Sequence, residues 1–257
     1  MKITVLGCGT SSGVPMVGCD CPVCQSDHPR NKRRRVSILV QDRDTTLLVD
    51  TSPDLREQLL SMNINRLSAV LYTHGHADHS HGLDDLRPIN YHLNAALDAY
   101  GTEETLDQIQ KRFAYAFGEP RTWWHSPCLK PRPIVGPFEI NGLHVTPFEQ
   151  THGRGVTTGF LFGEREAAYS TDVNALSDEV IALLQGVPLW IVDCLGYKAH
   201  PSHAHLETTL GWIEKVRPRL AVLTHMSHQF DYLTLAAELP PGVVPGHDGL
   251  VVETESL

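Results

Sequence analysis

Three imidazoles and a carboxylate fall within positions 74–79 of the stretch Thr73-His74-Gly75-His76-Ala77-Asp78-His79. Imidazole nitrogen and carboxylate oxygen in one short loop are the donor set of a zinc, manganese or iron site. A tight turn can send alternate side chains to two sides, so one loop can serve two ions. A second cluster, Cys19-Asp20-Cys21-Pro22-Val23-Cys24, places three thiols at knuckle spacing. Cys19, Cys21 and Cys24 can form three corners of a tetrahedral zinc site if a fourth ligand arrives from elsewhere; three reduced thiols in a loop are the alternative. Fifteen histidines in 257 residues, several of them in loops, lean the composition toward metal chemistry.

The elements that carry these residues read as alternating strands and helices. Leu67 to Tyr72 is an apolar run that delivers His74 from a buried strand. Lys2 to Gly7 reads as a first strand, followed by the glycine-rich loop Gly7 to Pro15, whose glycine spacing is wrong for a dinucleotide fingerprint. The run Lys32-Arg33-Arg34-Arg35 reads as a solvated face, with phosphate binding as the alternative. Ser37 to Gln41 and Thr45 to Asp50 form a hairpin, and Ser52-Pro53 starts a helix with Leu55, Leu59 and Met62 inward. Pro88 is expected to end any helix in the 81–87 segment, where Asp84, Asp85 and Arg87 suit an ion-pair group.

Thr102 opens an amphipathic helix with Leu106, Ile109, Phe113 and Phe117 on one stripe and Gly118 at its end. The proline-rich segment 119–137, with Trp123-Trp124 and His125, reads as part of an excursion or lid over about 88–137. Its aromatics, with Tyr91, are either core or a stacking wall for a base. Asn141-Gly142 marks a type I′ hairpin whose second arm ends at His152; a further hairpin ends at Asp172. Ser177 caps a helix, Leu189 to Asp193 is a strand, and the histidine-rich loop 200–205 leads into a helix over Leu206 to Val216. The strand Leu220 to Leu223 then ends Thr224-His225-Met226-Ser227-His228, echoing positions 68–76. Gly246 to Gly249 reads as a hairpin turn, with His247 either a plain turn residue or at the edge of the site. Two β-rich halves bringing ligands to one rim, with helices outside, make an α/β fold of the αββα sandwich type in a single domain over 1–257.

Strand-end residues His74, His76, Asp78, His79, His152, Asp172 and His225 resemble, in identity and order, the ligand set of the metallo-β-lactamase-fold hydrolases. By that resemblance His74, His76 and His152 hold one divalent ion, Asp78, His79 and His225 the other, and Asp172 bridges them. The ions would be manganese or zinc. No ligand is a cysteine, which removes the β-lactam-cleaving branch. The loop Gly7 to Pro15, the cysteine knuckle and the tail Thr224 to Asp231 further resemble the phosphodiesterases related to phosphoribosyl 1,2-cyclic phosphate phosphodiesterase. In that group the knuckle, here residues 19–24, holds a structural zinc completed by His228. The group also uses a histidine as general acid, which alignment on Leu-x-Thr places at His203, with His200 and His205 as competitors. Asp78 is assigned to the catalytic machinery beside His203.

The resemblance implies hydrolysis of a small phosphodiester, either 5-phosphoribosyl 1,2-cyclic phosphate or a cyclic nucleotide. A nuclease of the tRNA 3′-processing type shares the ligands, but only nineteen residues separate His152 from Asp172, and a hairpin consumes them. A thiolester or lactone hydrolase leaves the knuckle and the 200–205 histidines without work. The net charge of −9 argues against a nucleic-acid coat protein. No apolar run approaches the ~18 residues of a membrane span. The expected location is the cytoplasm, and a homodimer is compatible with the reading.

Overall fold

The computed structural model describes residues 1–118 and 127–257. Two seven-stranded sheets pack face to face with helices on their outer sides, an αββα sandwich. The first sheet is built from β1 (Lys2–Gly7), β2 (Ser37–Asp42), β3 (Thr45–Val49), β4 (Ala69–Leu71), β5 (Leu97–Gly101) and β6 (Leu129–Pro133), in that order across the sheet. The second takes β7 (Phe138–Ile140), β8 (Leu143–His152), β9 (Gly155–Phe162), β10 (Ala167–Ser170), β11 (Leu189–Asp193), β12 (Leu220–Thr224) and β13 (Val243–Pro245). The last strand, β14 (Val251–Glu253), returns to the first sheet beside β1.

Alternation along the strands explains why two sheets must stack. Ile38 and Val40 of β2 and Ala69 and Leu71 of β4 face the core between the sheets, among Val145, Phe160 and Phe162. Their neighbours Leu39 and Val70 point the other way, onto Leu55 and Leu59 of α2 (Leu55–Ser61) and onto Leu106 and Ile109 further along. A strand apolar on both faces needs a cover on each. The short helices α1 (Pro22–Gln25) and α3 (Ala77–Ser80) lie in the two ligand-bearing loops. Outer cover comes from α4 (Arg87–Leu93), α5 (Glu103–Arg112), α6 (Asp178–Leu184), α7 (Leu206–Val216) and α8 (Tyr232–Glu238). Among the described residues no helix is long and apolar enough to cross a membrane.

Four local expectations are corrected. Pro88 sits in the first turn of α4, where its missing N–H costs nothing, so it starts a helix instead of ending one. The helix opened by Thr102, whose Oγ1 accepts the Thr105 N–H at 3.2 Å, stops at Arg112; a 3₁₀ turn at Ala114–Ala116 carries the chain on to Phe117. The 88–137 segment supplies α4, β5, α5 and β6, so its described residues are built into the first sheet and its cover instead of forming an excursion from it; Trp123, Trp124 and His125 lie outside the described residues. Gly246 to Gly249 is a crossover between the sheets, because β13 and β14 belong to different ones. By contrast Asn141 and Gly142 both have positive φ, 49° and 82°, as a type I′ turn requires.

Candidate functional site

Six strand ends meet at one rim. Five of them lead into it from the C-terminal ends of parallel-paired strands: β3 into Asp50, β4 into the 73–79 loop, β10 into Asp172, β11 into Asp193 and β12 into His225. The antiparallel β8 ends at His152. Clefts outside the carboxyl ends of strands are where α/β proteins place ligands. Asp50, Asp172 and His225 all have left-handed backbone, with φ of 64°, 53° and 56°. That conformation costs an L-residue about 1–2 kcal/mol. Here it turns each side chain sharply from its strand toward the rim.

Asp172 organises the cluster. Its Oδ2 lies 3.9 Å from His74 Nε2 and 3.7 Å from His152 Nε2, while its Oδ1 lies 3.1 Å from His79 Nε2 and 3.4 Å from His225 Nε2. Each oxygen therefore faces one set of imidazoles. One set is His74, His76, His152 and Asp172; the other is Asp78, His79, Asp172 and His225. Asp78 Oδ2 closes the second set at 3.4 Å from His79 Nε2 and 3.8 Å from His225 Nε2. All seven residues expected to be ligands are thus brought together.

Hydrogen bonds on the far side of the rings fix which nitrogen faces in. The Thr73 hydroxyl donates its one proton to Asp50 Oδ2 at 2.8 Å, so it can only accept from His74 Nδ1 at 3.0 Å. His79 Nδ1 donates to Asp50 Oδ2 at 2.7 Å, and His152 Nδ1 to the Ser202 carbonyl at 2.7 Å. With Nδ1 carrying a proton, Nε2 of each ring is the nitrogen that faces inward and that would give its lone pair to a cation. His74 Nε2, His79 Nε2 and both ring nitrogens of His225 are buried with no hydrogen-bond partner among the described residues. Buried polar atoms are rarely left so, and converging lone pairs fit a pair of cations.

Electrostatics point the same way. Burial alone would lift the Asp172 carboxyl, but His225, His79 and His74 hold it well below the usual carboxylate range. Burial likewise opposes an imidazolium at His225, yet Asp172 and Asp78 push its pKa up to about 9. Burial, with the neighbouring imidazoles His79 and His76, drives His74 well below the ordinary value. The carboxylates at the centre demand positive charge.

His203 completes the rim. Its Nδ1 donates to Asp193 Oδ2 at 2.8 Å, and its Nε2 lies 3.8 Å from Asp172 Oδ2. The ring stacks on His225 at 4.5 Å. His200 is exposed, its Nδ1 paired with the Ser202 hydroxyl, and His205 Nδ1 pairs with Thr208 at the start of α7. His247 Nδ1 faces the Asp248 carbonyl at 3.2 Å, and its ring lies against Tyr232 at 6.1 Å.

At the knuckle, ligand atoms of Cys19, Cys24 and His228 lie within 4.8 Å of one another. Cys21 Sγ accepts the Cys24 N–H at 3.4 Å and sits 4.0 Å from the His228 carbonyl; Cys24 Sγ accepts the Met16 N–H at 3.4 Å. N–H groups directed at sulfur favour thiolates, which are the metal-binding form. The Cys24 thiol, by contrast, is pushed up to about 11 by burial, so a thiolate there calls for a cation.

Two functional residues escaped sequence reasoning. Asp50 is fully buried beneath the 73–79 loop. Arg33, expected on a solvated face, is 2% exposed and donates to the Ser227 carbonyl at 3.0 Å and the Phe230 carbonyl at 2.7 Å, bracketing His228. Its neighbours pair as well, Arg34 with Asp248 at 3.0 Å and Arg35 with Asp54 at 2.8 Å. The expected Asp84–Arg87 ion pair is present at 3.1 Å.

Comparison with known proteins agrees with this geometry. The sequence model of the beta-lactamase superfamily domain matches residues 45–226. A crystal structure of a new diphosphatase from the PhnP family superposes with a TM-score of 0.91 at 36% identity, covering 98% of this chain and 97% of that one. Human tRNase Z, short form, superposes at 0.71 with 18% identity over 99% of each chain, which is a likeness of fold. A curated relative from Porphyromonas gingivalis named octanoyltransferase is 39% identical over 256 residues, 97% of this chain. The chain spans 51% of that relative's length, about half.

Proposed function

The chain belongs to the metallo-β-lactamase superfamily and within it to the PhnP family, and from that premise we propose a binuclear metal-dependent phosphodiesterase acting on a small phosphodiester. Candidate substrates are 5-phosphoribosyl 1,2-cyclic phosphate and cyclic nucleotides. His74, His76 and His152 would hold one divalent ion, Asp78, His79 and His225 the other, and Asp172 both; zinc and manganese suit this nitrogen and oxygen set. Cys19, Cys21, Cys24 and His228 would hold a structural zinc. The reading places the protein in the cytoplasm, with all six cysteines free of disulfides.

A pair of divalent ions held there would supply a water acidified to near neutral pH and a charge that polarises phosphoryl oxygens. The chain supplies the rest. Asp172 and Asp78 offset the repulsion of like charges at the centre. Asp193 holds His203 with its protonated Nδ1 outward, and Nε2 delivers a proton to the departing oxygen. The observation that carries the proposal is this Asp193–His203 pair aimed at Asp172. A water activated on the metal side and a proton donor on the other are what in-line cleavage of a phosphodiester needs.

The test is turnover by the manganese- or zinc-loaded protein of 5-phosphoribosyl 1,2-cyclic phosphate, a 2′,3′-cyclic nucleotide and an octanoyl thiolester. Hydrolysis of either phosphodiester, abolished by chelation, is the expected result. Thiolester cleavage without phosphodiester cleavage would overturn the proposal. A long nucleic-acid substrate is disfavoured, since β9 and β10 occupy the stretch between His152 and Asp172.

Metal loading carries its own prediction. His225, faced by Asp172, Asp78 and Asp193, titrates at about 9 without metal, so near pH 7 it holds a proton that a cation must displace. Apparent affinity should therefore rise with pH through the neutral and mildly alkaline range, and His79 adds to the rise because, against its burial, Asp172 and Asp50 hold it well above the ordinary imidazole value too. Calorimetry at pH 7 in buffers of different ionisation enthalpy should show protons released; zero release would contradict this account.

A further inference from the structure

Arg33 carries a buried positive charge that no carboxylate meets. The residue is 2% exposed, and among the described residues it forms no ion pair, unlike its neighbours Arg34 and Arg35. Its Nη1 donates to the Ser227 carbonyl at 3.0 Å, and its Nη2 to the Phe230 carbonyl at 2.7 Å and to Asn31 Oδ1 at 3.3 Å. All three acceptors are neutral, and Nε is buried with no partner among the described residues. A charge withdrawn from water in this way needs an opposite charge facing it.

Burial lowers the Arg33 guanidinium from its ordinary value, and the groups that act against burial are Cys8, Asp248, Asp231 and Cys24. Asp248 is already engaged by Arg34, through Nε at 3.0 Å and the backbone N–H at 2.8 Å. Asp231 caps α8, and Asn31 stands between it and Arg33, donating to Asp231 Oδ2 at 2.7 Å. The Cys8 thiol is held well above its ordinary value by burial and by Asp248, which leaves it neutral. Cys24 remains, and it belongs to the knuckle. The backbone leads to the same place. Arg33 exchanges hydrogen bonds with Val14 at 2.7 and 2.9 Å, and two residues further on the Met16 N–H donates to Cys24 Sγ at 3.4 Å. Three thiolates and a neutral imidazole around a dication leave one net negative charge.

We infer that Arg33 is the counter-ion of the knuckle: its guanidinium balances the charge of a zinc centre made by Cys19, Cys21, Cys24 and His228, while its Nη atoms hold the carbonyls on either side of His228. Arg33 is a positioning residue for that centre and no ligand of it. This inference rests on the structural-zinc reading above.

The test titrates the whole chain with cobalt, because thiolate-to-cobalt charge-transfer absorption reports the knuckle and is silent for the nitrogen and oxygen ligands of the active site. Arg33→Gln keeps hydrogen-bond donors and removes the charge, whereas Arg33→Lys keeps the charge and loses the fork. Arg33→Gln is expected to weaken cobalt and zinc at the knuckle by about 10- to 100-fold, with Arg33→Lys recovering most of the loss. Equal effects in the two variants, large or absent, would overturn the inference. Cys19→His supplies the converse. It makes the centre neutral, so Arg33→Gln should cost little in that background, and an undiminished penalty would contradict the charge pairing. Where Arg33→Gln alone does not fold, the double variant decides. A folded, cobalt-binding protein carrying Cys19→His and Arg33→Gln upholds the pairing, and an unfolded one refutes it. Wild type with no charge-transfer band, holding only its active-site ions, refutes the zinc reading itself and the counter-ion assignment with it.

Discussion

Replacing His203 by alanine is expected to lower kcat by about 10²- to 10⁴-fold while both active-site ions stay bound, because a positioned general acid contributes that much to rate. His203 also groups with Asp172, Asp193 and His225 within 4.8 Å, but the two sets built on His74, His76 and His152 and on Asp78, His79 and His225 are complete without it. Its Nδ1 is taken by Asp193 at 2.8 Å, and its Nε2 stands 3.8 Å from Asp172 Oδ2, on the edge of the cluster. The loss should depend on the leaving group. An alkoxide needs its proton as the bond breaks, whereas p-nitrophenolate leaves almost unaided. His203→Ala should therefore be steep on a cyclic phosphate and shallow on a p-nitrophenyl ester. A merely structural role would depress both alike. His200→Ala and His205→Ala serve as controls, since their Nδ1 atoms are engaged with Ser202 and Thr208 away from Asp172. Wild-type turnover of a cyclic phosphate by His203→Ala, or loss of metal from it, would sink the assignment.

The placement of these groups was legible where short loops follow apolar strands. His74, His152, Asp172 and His225 each stand within a few residues of a run with strand character, so the order of elements already puts them on one rim. What failed to show depends on partners distant in sequence. Arg33 reads as one more charge in a basic run, yet its acceptors are the carbonyls of Ser227 and Phe230, nearly two hundred residues on. The strand β6, Leu-Lys-Pro-Arg-Pro, has two prolines and no alternation, and only its position at a sheet edge makes it admissible. Gly246 to Gly249 has the composition of a hairpin turn. Only the stacking of two sheets reveals it as a crossover, where Asp248 accepts from the backbone N–H groups of Cys8 and Arg34.

Asp50 is the most consequential of these hidden residues, and Asp50→Asn is expected to weaken one of the two active-site ions by about 10- to 100-fold. Its carboxylate accepts from Thr73 N at 2.9 Å, Thr73 Oγ1 at 2.8 Å and His79 Nδ1 at 2.7 Å, with no exposure to solvent. Asparagine keeps the shape and tolerates the left-handed φ of 64°, so backbone strain is not introduced. It does replace one acceptor with an amide donor. If the amide faces His79, Nδ1 must become an acceptor and the ring proton moves to Nε2, removing the lone pair that Asp78, Asp172 and His225 surround. If it faces Thr73, a buried N–H is left unpaired at a cost of about 1–3 kcal/mol. Either way the loop 73–79 suffers on the His79 side first. His74 depends on Asp50 only indirectly, through the Thr73 hydroxyl, and His76 and His152 take no bond from Asp50. Metal counting after dilution should thus find one active-site ion retained and one lost, with kcat reduced in proportion to occupancy and restored by excess metal. Two ions held with wild-type affinity would show that Asp50 only packs beneath the loop.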